Sequence, residues 1–199
     1  MAKLISLLSA GLLLFFCSCK KNVKAETITI RDTVYVAVHD TTVIPGMISD
    51  TTTTFIIVRH AEKEATGTDP NLTSAGVARA EELKRILANV PVSAVYSTPL
   101  NRTRQTGQPL ATAKGVSITE YATSKPYAEL VDELLAAWHG KVVLVVGHSN
   151  TVPDILKEIS NNTFNITIND SQYDNLFIVS MPDHLTPVIQ HLKYGTATP

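Results

Sequence analysis

Two short apolar runs, Phe55-Ile56-Ile57-Val58 and Val142-Val143-Leu144-Val145-Val146, constrain this chain more than any other feature. Each is followed by a histidine: Arg59-His60 after the first, Gly147-His148 after the second. A continuous apolar run of this length, without alternation, reads as a strand buried on both faces, the pattern of a parallel sheet covered by helices. In an open α/β sheet the ligand crevice lies outside the carboxyl ends of the strands. Both histidines are therefore expected at one sheet edge, sharing one pocket despite their separation in sequence.

The rest of the chain continues the same alternation. Strands are predicted over 54–59, 93–97, 116–120, 142–147 and 176–181, with a weaker sixth over 187–192. Thr73-Ser74 offers an N-cap for a helix over 74–89, where Val77, Ala80, Leu83, Ile86 and Leu87 keep close to helical spacing. A second helix is predicted over 102–114 despite Gly107 and Pro109, and a third over 127–138, with Trp138 in the core. Pro153 suits the first turn of a fourth, over 152–160. The expected fold is a three-layer α/β/α sandwich around a mainly parallel sheet, occupying 53–199.

A chain of 199 residues allows one such domain with appendages. The N-terminal appendage is legible. Lys3 precedes an apolar stretch from Leu4 to Phe16, too short for a span of roughly 20 residues and suited to a signal peptide over 1–18. Cys17 and Cys19 are the only cysteines, and Ser18 before Cys19 resembles the cleavage box of a bacterial lipoprotein, with lipid carried on Cys19. An ordinary secretory signal and an uncleaved anchor are the alternatives. Cleavage there leaves no disulfide pair and no cysteine metal site. Residues 19–52 begin with the basic patch Lys20-Lys21-Asn22-Val23-Lys24 and continue threonine-rich to a break at Pro45-Gly46. They read as a tether, its alternating part (27–38) suited to an extra strand at the edge of the sheet. The expected location is extracytoplasmic, on a bacterial membrane through the lipid anchor, on the periplasmic or cell-surface side. A net charge of -1 and a pI near 6.6 do not fit a generally basic nucleic-acid binder.

Three clusters carry chemistry. In Arg59-His60-Ala61-Glu62-Lys63 a neutral imidazole is a competent nucleophile and the arginine a planar fork for phosphate oxygens; the bland alternative is a histidine that only caps its turn. Tyr96-Ser97-Thr98-Pro99-Leu100-Asn101-Arg102 leads from a strand into a helix, where backbone amides favour an anion and Arg102 adds two donors. Arg104, two residues on, reads as a solvated surface charge. Gly147 lets the backbone turn sharply and places His148 over the sheet edge. His39, His139, His184 and His191 lack ligand spacing.

Arg-His-Ala-Glu (59–62), Ser-Thr-Pro-Leu-x-Arg-Thr-x-Gln-Thr (97–106) and Gly-His-Ser-Asn (147–150) stand in the order seen in the histidine phosphatase (phosphoglycerate mutase-like) superfamily, which the chain resembles over residues 54–182. Leu72-Thr73-Ser74-Ala75-Gly76 is similar to that family's Leu-Thr-x-x-Gly segment. The compact build resembles the small SixA-type phosphohistidine phosphatases more than phytases. The resemblance implies a phosphoric monoester hydrolase in which His60 attacks phosphorus and becomes phosphohistidine. Arg59, Arg102 and His148 hold the equatorial oxygens, and water then releases phosphate. It implies no metal and no cofactor, and a substrate that is a phosphorylated small molecule or phosphoprotein. A phosphomutase and a non-catalytic phospholigand-binding lipoprotein are the competing readings.

The proton donor departs from the family pattern. Ser149-Asn150 follows His148, where some members carry Asp. Glu120 and Glu129 fall in the region of the family's alternative Glu, and Glu62 and Asp69 lie near His60 in sequence. A missing acid matters little for phosphohistidine or an acyl phosphate and more for an alkyl phosphate. Asp174-Asn175 before the 176–181 strand makes a turn or pins the loop of the second histidine. Substrate selection is expected to fall to 61–72, 120–128 and 161–175.

Overall fold

The computed structural model describes residues 25–30, 33–38, 51–183 and 186–199. The signal peptide, Cys19, His39 and His184 lie outside the described residues. The chain forms two units, Met1–Ile48 and Ser49–Pro199. In the first, β1 (Ala25–Ile30) and β2 (Thr33–Val38) pair antiparallel from Ala25 opposite Val38 to Ile30 opposite Thr33. The threonine-rich alternation thus makes a two-stranded antiparallel sheet.

In the second unit, β3 (Thr52–Arg59) leads to α1 (Ser74–Ile86), β4 (Val92–Ser97) to α2 (Asn101–Lys114), and β5 (Ile118–Glu120) to α3 (Tyr127–Ala137). Then come β6 (Val142–Gly147), α4 (Thr151–Ile159), β7 (Asn175–Pro182) and β8 (Val188–Lys193). The sheet order is β5-β4-β6-β3-β7-β8. The first four strands are mutually parallel, β7 pairs antiparallel with β3, and β8 pairs antiparallel with β7. The three-layer α/β/α fold with a mainly parallel sheet is therefore present, with an antiparallel C-terminal flank.

Helix boundaries follow local chemistry. Thr73 caps α1, its hydroxyl accepting from the Gly76 amide at 3.1 Å. The helix stops at Ile86, short of the predicted 89, because Leu87 leaves helical geometry and Pro91 follows. Pro109 removes one amide donor from α2 without ending it; Gly115 ends it, left-handed at φ 67°.

Strand alternation sorts the core. Phe55 and Ile57 of β3, Val143 and Val145 of β6 and Phe177 of β7 pack on one face against Leu130 and Leu134 of α3 and Ile155 and Leu156 of α4. Ile56, Val58, Leu144 and Val146 face the other way, onto Leu83 of α1 and Leu110 of α2. Each such side chain contributes about 1.5–3 kcal/mol on burial, which fixes the register of β3 against β6. Arg59 therefore stands opposite Gly147, and the His60 amide donates to Gly147 O at 2.9 Å. Both histidines leave the sheet at one level. Among the described residues no helix is long and apolar enough to cross a membrane.

Candidate active site

The carboxyl ends of β3, β4 and β6 open on a cavity of about 330 Å³ lined by Arg59, His60, Arg102 and His148. Lys63, Ser149, Asn150, Asp170 and Tyr173 complete its wall. The four residues singled out in the sequence thus share one pocket, the two imidazole centroids 5.4 Å apart.

His60 Nδ1 lies 2.8 Å from Ala61 O. A carbonyl only accepts, so Nδ1 carries the proton and Nε2 keeps its lone pair. Burial, followed by the charges of Arg59, His148 and Arg102, pushes His60 down to about 3, which outweighs the Ala61 bond. His148 falls to about 4 through burial and then Arg102 and Arg59. Both rings are neutral at physiological pH.

Arg59 is buried, and much of its fork is engaged. Nη1 donates to Asn169 O at 2.8 Å and Gln172 O at 3.1 Å, and Nη2 reaches Asp170 Oδ1 at 3.4 Å. The Tyr173 ring lies 4.4 Å from the guanidinium carbon, a cation–π contact. Arg102 comes from the first turn of α2, whose Thr106 hydroxyl donates to Arg102 O at 2.7 Å and accepts from the Ala61 amide at 2.9 Å. That link ties the helix start to the loop after β3. Arg59 Nε and Arg102 Nε are both buried with no hydrogen-bond partner among the described residues. Orphaned buried donors of this kind are uncommon.

The carboxylates considered as proton donors lie elsewhere. Glu62 does not line the cavity and makes a two-pronged pair with Arg79, Oε1 to Nη2 at 2.7 Å and Oε2 to Nε at 3.0 Å. Burial opposes its ionisation, but Arg79 outweighs that and holds Glu62 below the usual carboxylate range. Its place is support: Arg79 also binds the carbonyls of Tyr194 and Thr196, each at 2.8 Å. Glu120 sits on the edge strand β5, outside the cavity lining, 2.8 Å from Arg104 Nη1. Glu129 is exposed in the first turn of α3. Asp69 accepts from the Asn101 amide at 2.9 Å, capping α2, and stands 3.9 Å from Arg102.

The carboxylate on the cavity wall is Asp170, which also accepts from Ser149 Oγ at 2.8 Å. Sequence reading did not single out Asp170 or Tyr173. They arrive on the non-helical segment between α4 and β7, whose path carries no periodic signal. Asp174 and Asn175 bind the C-terminal end of the fold, not the loop of His148. Asp174 takes Lys193 Nζ at 2.9 Å and Thr198 Oγ1 at 2.7 Å, and Asn175 Oδ1 meets His191 Nε2 at 2.8 Å. Although Asp174 is buried, these donors pull it to about 2. Trp138 is partly buried on the core, its Nε1 donating to Tyr96 Oη at 3.0 Å. Among the described residues no three His, Cys, Asp or Glu side chains converge as metal ligands.

With this geometry in place, comparison with known proteins is informative. Residues 55–123 match the family model of the histidine phosphatase superfamily, branch 1. That stretch contains Arg59, His60 and Arg102; His148 lies beyond it and joins them through the β3–β6 pairing. No curated protein matches the chain. Among solved structures, the protein histidine phosphatase SixA complexed with tungstate superposes with a TM-score of 0.59 at 15% identity, covering 70% of this chain and 96% of that one. The Entamoeba histolytica phosphoserine phosphatase with 3-phosphoglyceric acid gives 0.55 at 16% identity, covering 72% and 98%. A mycobacterial glucosyl-3-phosphoglycerate phosphatase gives 0.56 at 11% identity, covering 73% and 100%. At these identities the likeness is one of fold.

Proposed function

We propose that this chain is a phosphatase of the histidine phosphatase superfamily, hydrolysing a phosphomonoester or phosphohistidine through a covalent intermediate on His60. The observation that carries the reading is the convergence of Arg59, Arg102 and His148 on one cavity with His60, whose proton sits on Nδ1 and whose Nε2 has no partner among the described residues. Arg59, Lys63 and Arg102 outnumber Asp170 around the cavity, so the site favours a dianion.

Attack by His60 Nε2 on phosphorus forms the N–P bond as the bond to the leaving group breaks. Arg59, Arg102 and His148 balance the charge on the equatorial oxygens. Water then attacks phosphorus, the N–P bond breaks, and phosphate leaves. The carboxylates considered as acids stand outside the cavity, and Asp170 on its wall is engaged by Arg59 Nη2 at 3.4 Å and Ser149 Oγ at 2.8 Å. Leaving groups that depart without a proton, phosphohistidine among them, therefore fit best. Lys3, the apolar stretch 4–16 and Cys19 support a lipid-anchored, extracytoplasmic placement. Turnover of para-nitrophenyl phosphate with chelator present, lost in His60→Ala, is the expected test result; a chelator-sensitive activity indifferent to His60 would overturn the reading.

A further inference from the structure

Thr98 and Thr103 are fully buried and join His148 to the start of α2 through a line of hydroxyls. The acceptors along that line favour one orientation of each hydroxyl. Thr103 Oγ1 lies 2.9 Å from Thr98 O and 2.8 Å from Leu100 O. Carbonyls only accept, so two close carbonyls draw the single Thr103 hydroxyl hydrogen toward them and away from Thr98 Oγ1. Thr98 Oγ1, 2.9 Å away, then donates to Thr103 Oγ1. With its hydrogen spent, Thr98 accepts at 2.8 Å from His148 Nε2. In that orientation His148 carries its proton on Nε2, while His60 carries it on Nδ1. The two rings hold opposite tautomers, and each leaves one unprotonated nitrogen, His60 Nε2 and His148 Nδ1, for the cavity.

Two bare lone pairs are one too many for a phosphoryl dianion, since only the nucleophile needs one. We propose that Thr98, backed by Thr103, is a positioning residue that holds His148 with Nε2 protonated and Nδ1 toward the phosphoryl group, so that His148 takes up a proton when phosphate binds. The imidazolium then has both N–H groups bonded, Nε2 to Thr98 and Nδ1 to a phosphoryl oxygen, and His60 keeps its lone pair for phosphorus. The proton comes from solvent or from monoanionic phosphate. The groups facing His148 are Arg59, His60 and Lys63 from β3 and its loop, Arg102 from α2, and Asp170 and Tyr173 from the segment before β7. The cations oppose protonation in the free site, and the bound dianion offsets them.

The contact between His148 and a phosphoryl group rests on the phosphatase reading; the tautomer is a property of the free protein. Nitrogen-15 NMR of histidine-labelled full-length protein, free and titrated with inorganic phosphate at neutral pH, reads both. In wild type, free His148 is expected to show a pyrrole-type Nε2 and a pyridine-type Nδ1, becoming imidazolium with phosphate while His60 stays neutral. Thr98→Ser retains this pattern. Thr98→Val moves the proton to Nδ1 and weakens phosphate binding on the order of tenfold. Thr103→Val frees the Thr98 hydrogen to turn toward Nε2 and moves the tautomer the same way, with Thr98 itself intact. An Nδ1–H tautomer in wild type, one unchanged in both valine variants, or proton uptake by His60 instead would overturn the proposal. Wild-type protein that binds no phosphate overturns the phosphatase reading and the proton uptake with it, while the free-state tautomer still decides the role of Thr98.

Discussion

His60 and His148 are neutral because burial and neighbouring arginines disfavour a further positive charge, and this gives stability a pH dependence of definite sign. Their folded pKa values, about 3 and about 4, lie below the ordinary 6.5. Between those limits the unfolded chain binds more protons than the folded one. Their contribution is therefore complete above pH 6.5 and lost as pH falls toward 4. The thermal midpoint should drop through that window, and less steeply in His60→Gln; equal slopes in the two proteins would exclude His60 as a source. The two arginines should separate by experiment. Arg102→Ala is expected to lower kcat/KM by about 10²–10³-fold with little change in thermal midpoint. Arg59→Ala should lose activity and also stability, because it frees the carbonyls of Asn169 and Gln172. Matching thermal midpoints for the two variants would argue against that second role.

At the scale of elements, α1 is seated by close backbone contact. A Cβ on Gly76 would stand 2.1 Å from Glu62 O, a backbone atom that cannot step aside cheaply. Gly76→Ala should cost about 1–3 kcal/mol in denaturant unfolding, as overpacking does; a neutral result would mean that the loop after β3 yields freely. Behind the same loop, Arg79→Met leaves Glu62 and the carbonyls of Tyr194 and Thr196 without their shared donor. A loss of about 2–3 kcal/mol is expected, and an unchanged midpoint would assign the pair to the surface. Much of this level was legible in the sequence. The β3 and β6 runs are apolar on both faces, and their histidines mark the sheet edge directly. The antiparallel flank was not: β7 and β8 have strand periodicity, but nothing in 160–174 says which way the chain returns. Asp170 and Tyr173 ride on that segment and were hidden with it. Thr98 stands within a visible motif, yet its bond to His148 arises from the β4–β6 pairing, which no local pattern encodes.

At the scale of the molecule, the sheet is a frame that brings β3, α2 and β6 together at one edge, and the cavity there carries Arg59, Lys63 and Arg102 against one carboxylate, Asp170, a balance suited to a phosphoryl group. The proposed membrane location is read from the apolar stretch 4–16 together with Cys19, so mass spectrometry of the membrane-extracted protein should find a mature chain beginning at an acylated Cys19. A membrane-bound chain that retains residues 1–18 would point to an uncleaved anchor. The most direct measurement is rapid quenching of the enzyme during turnover of an aryl phosphate, followed by mapping of the trapped phosphoryl group. An acid-labile, base-stable phosphoenzyme on His60, absent from a folded His60→Ala variant, is the expected result; a phosphoryl group mapped to another residue, or full turnover without His60, would contradict the phosphohistidine route.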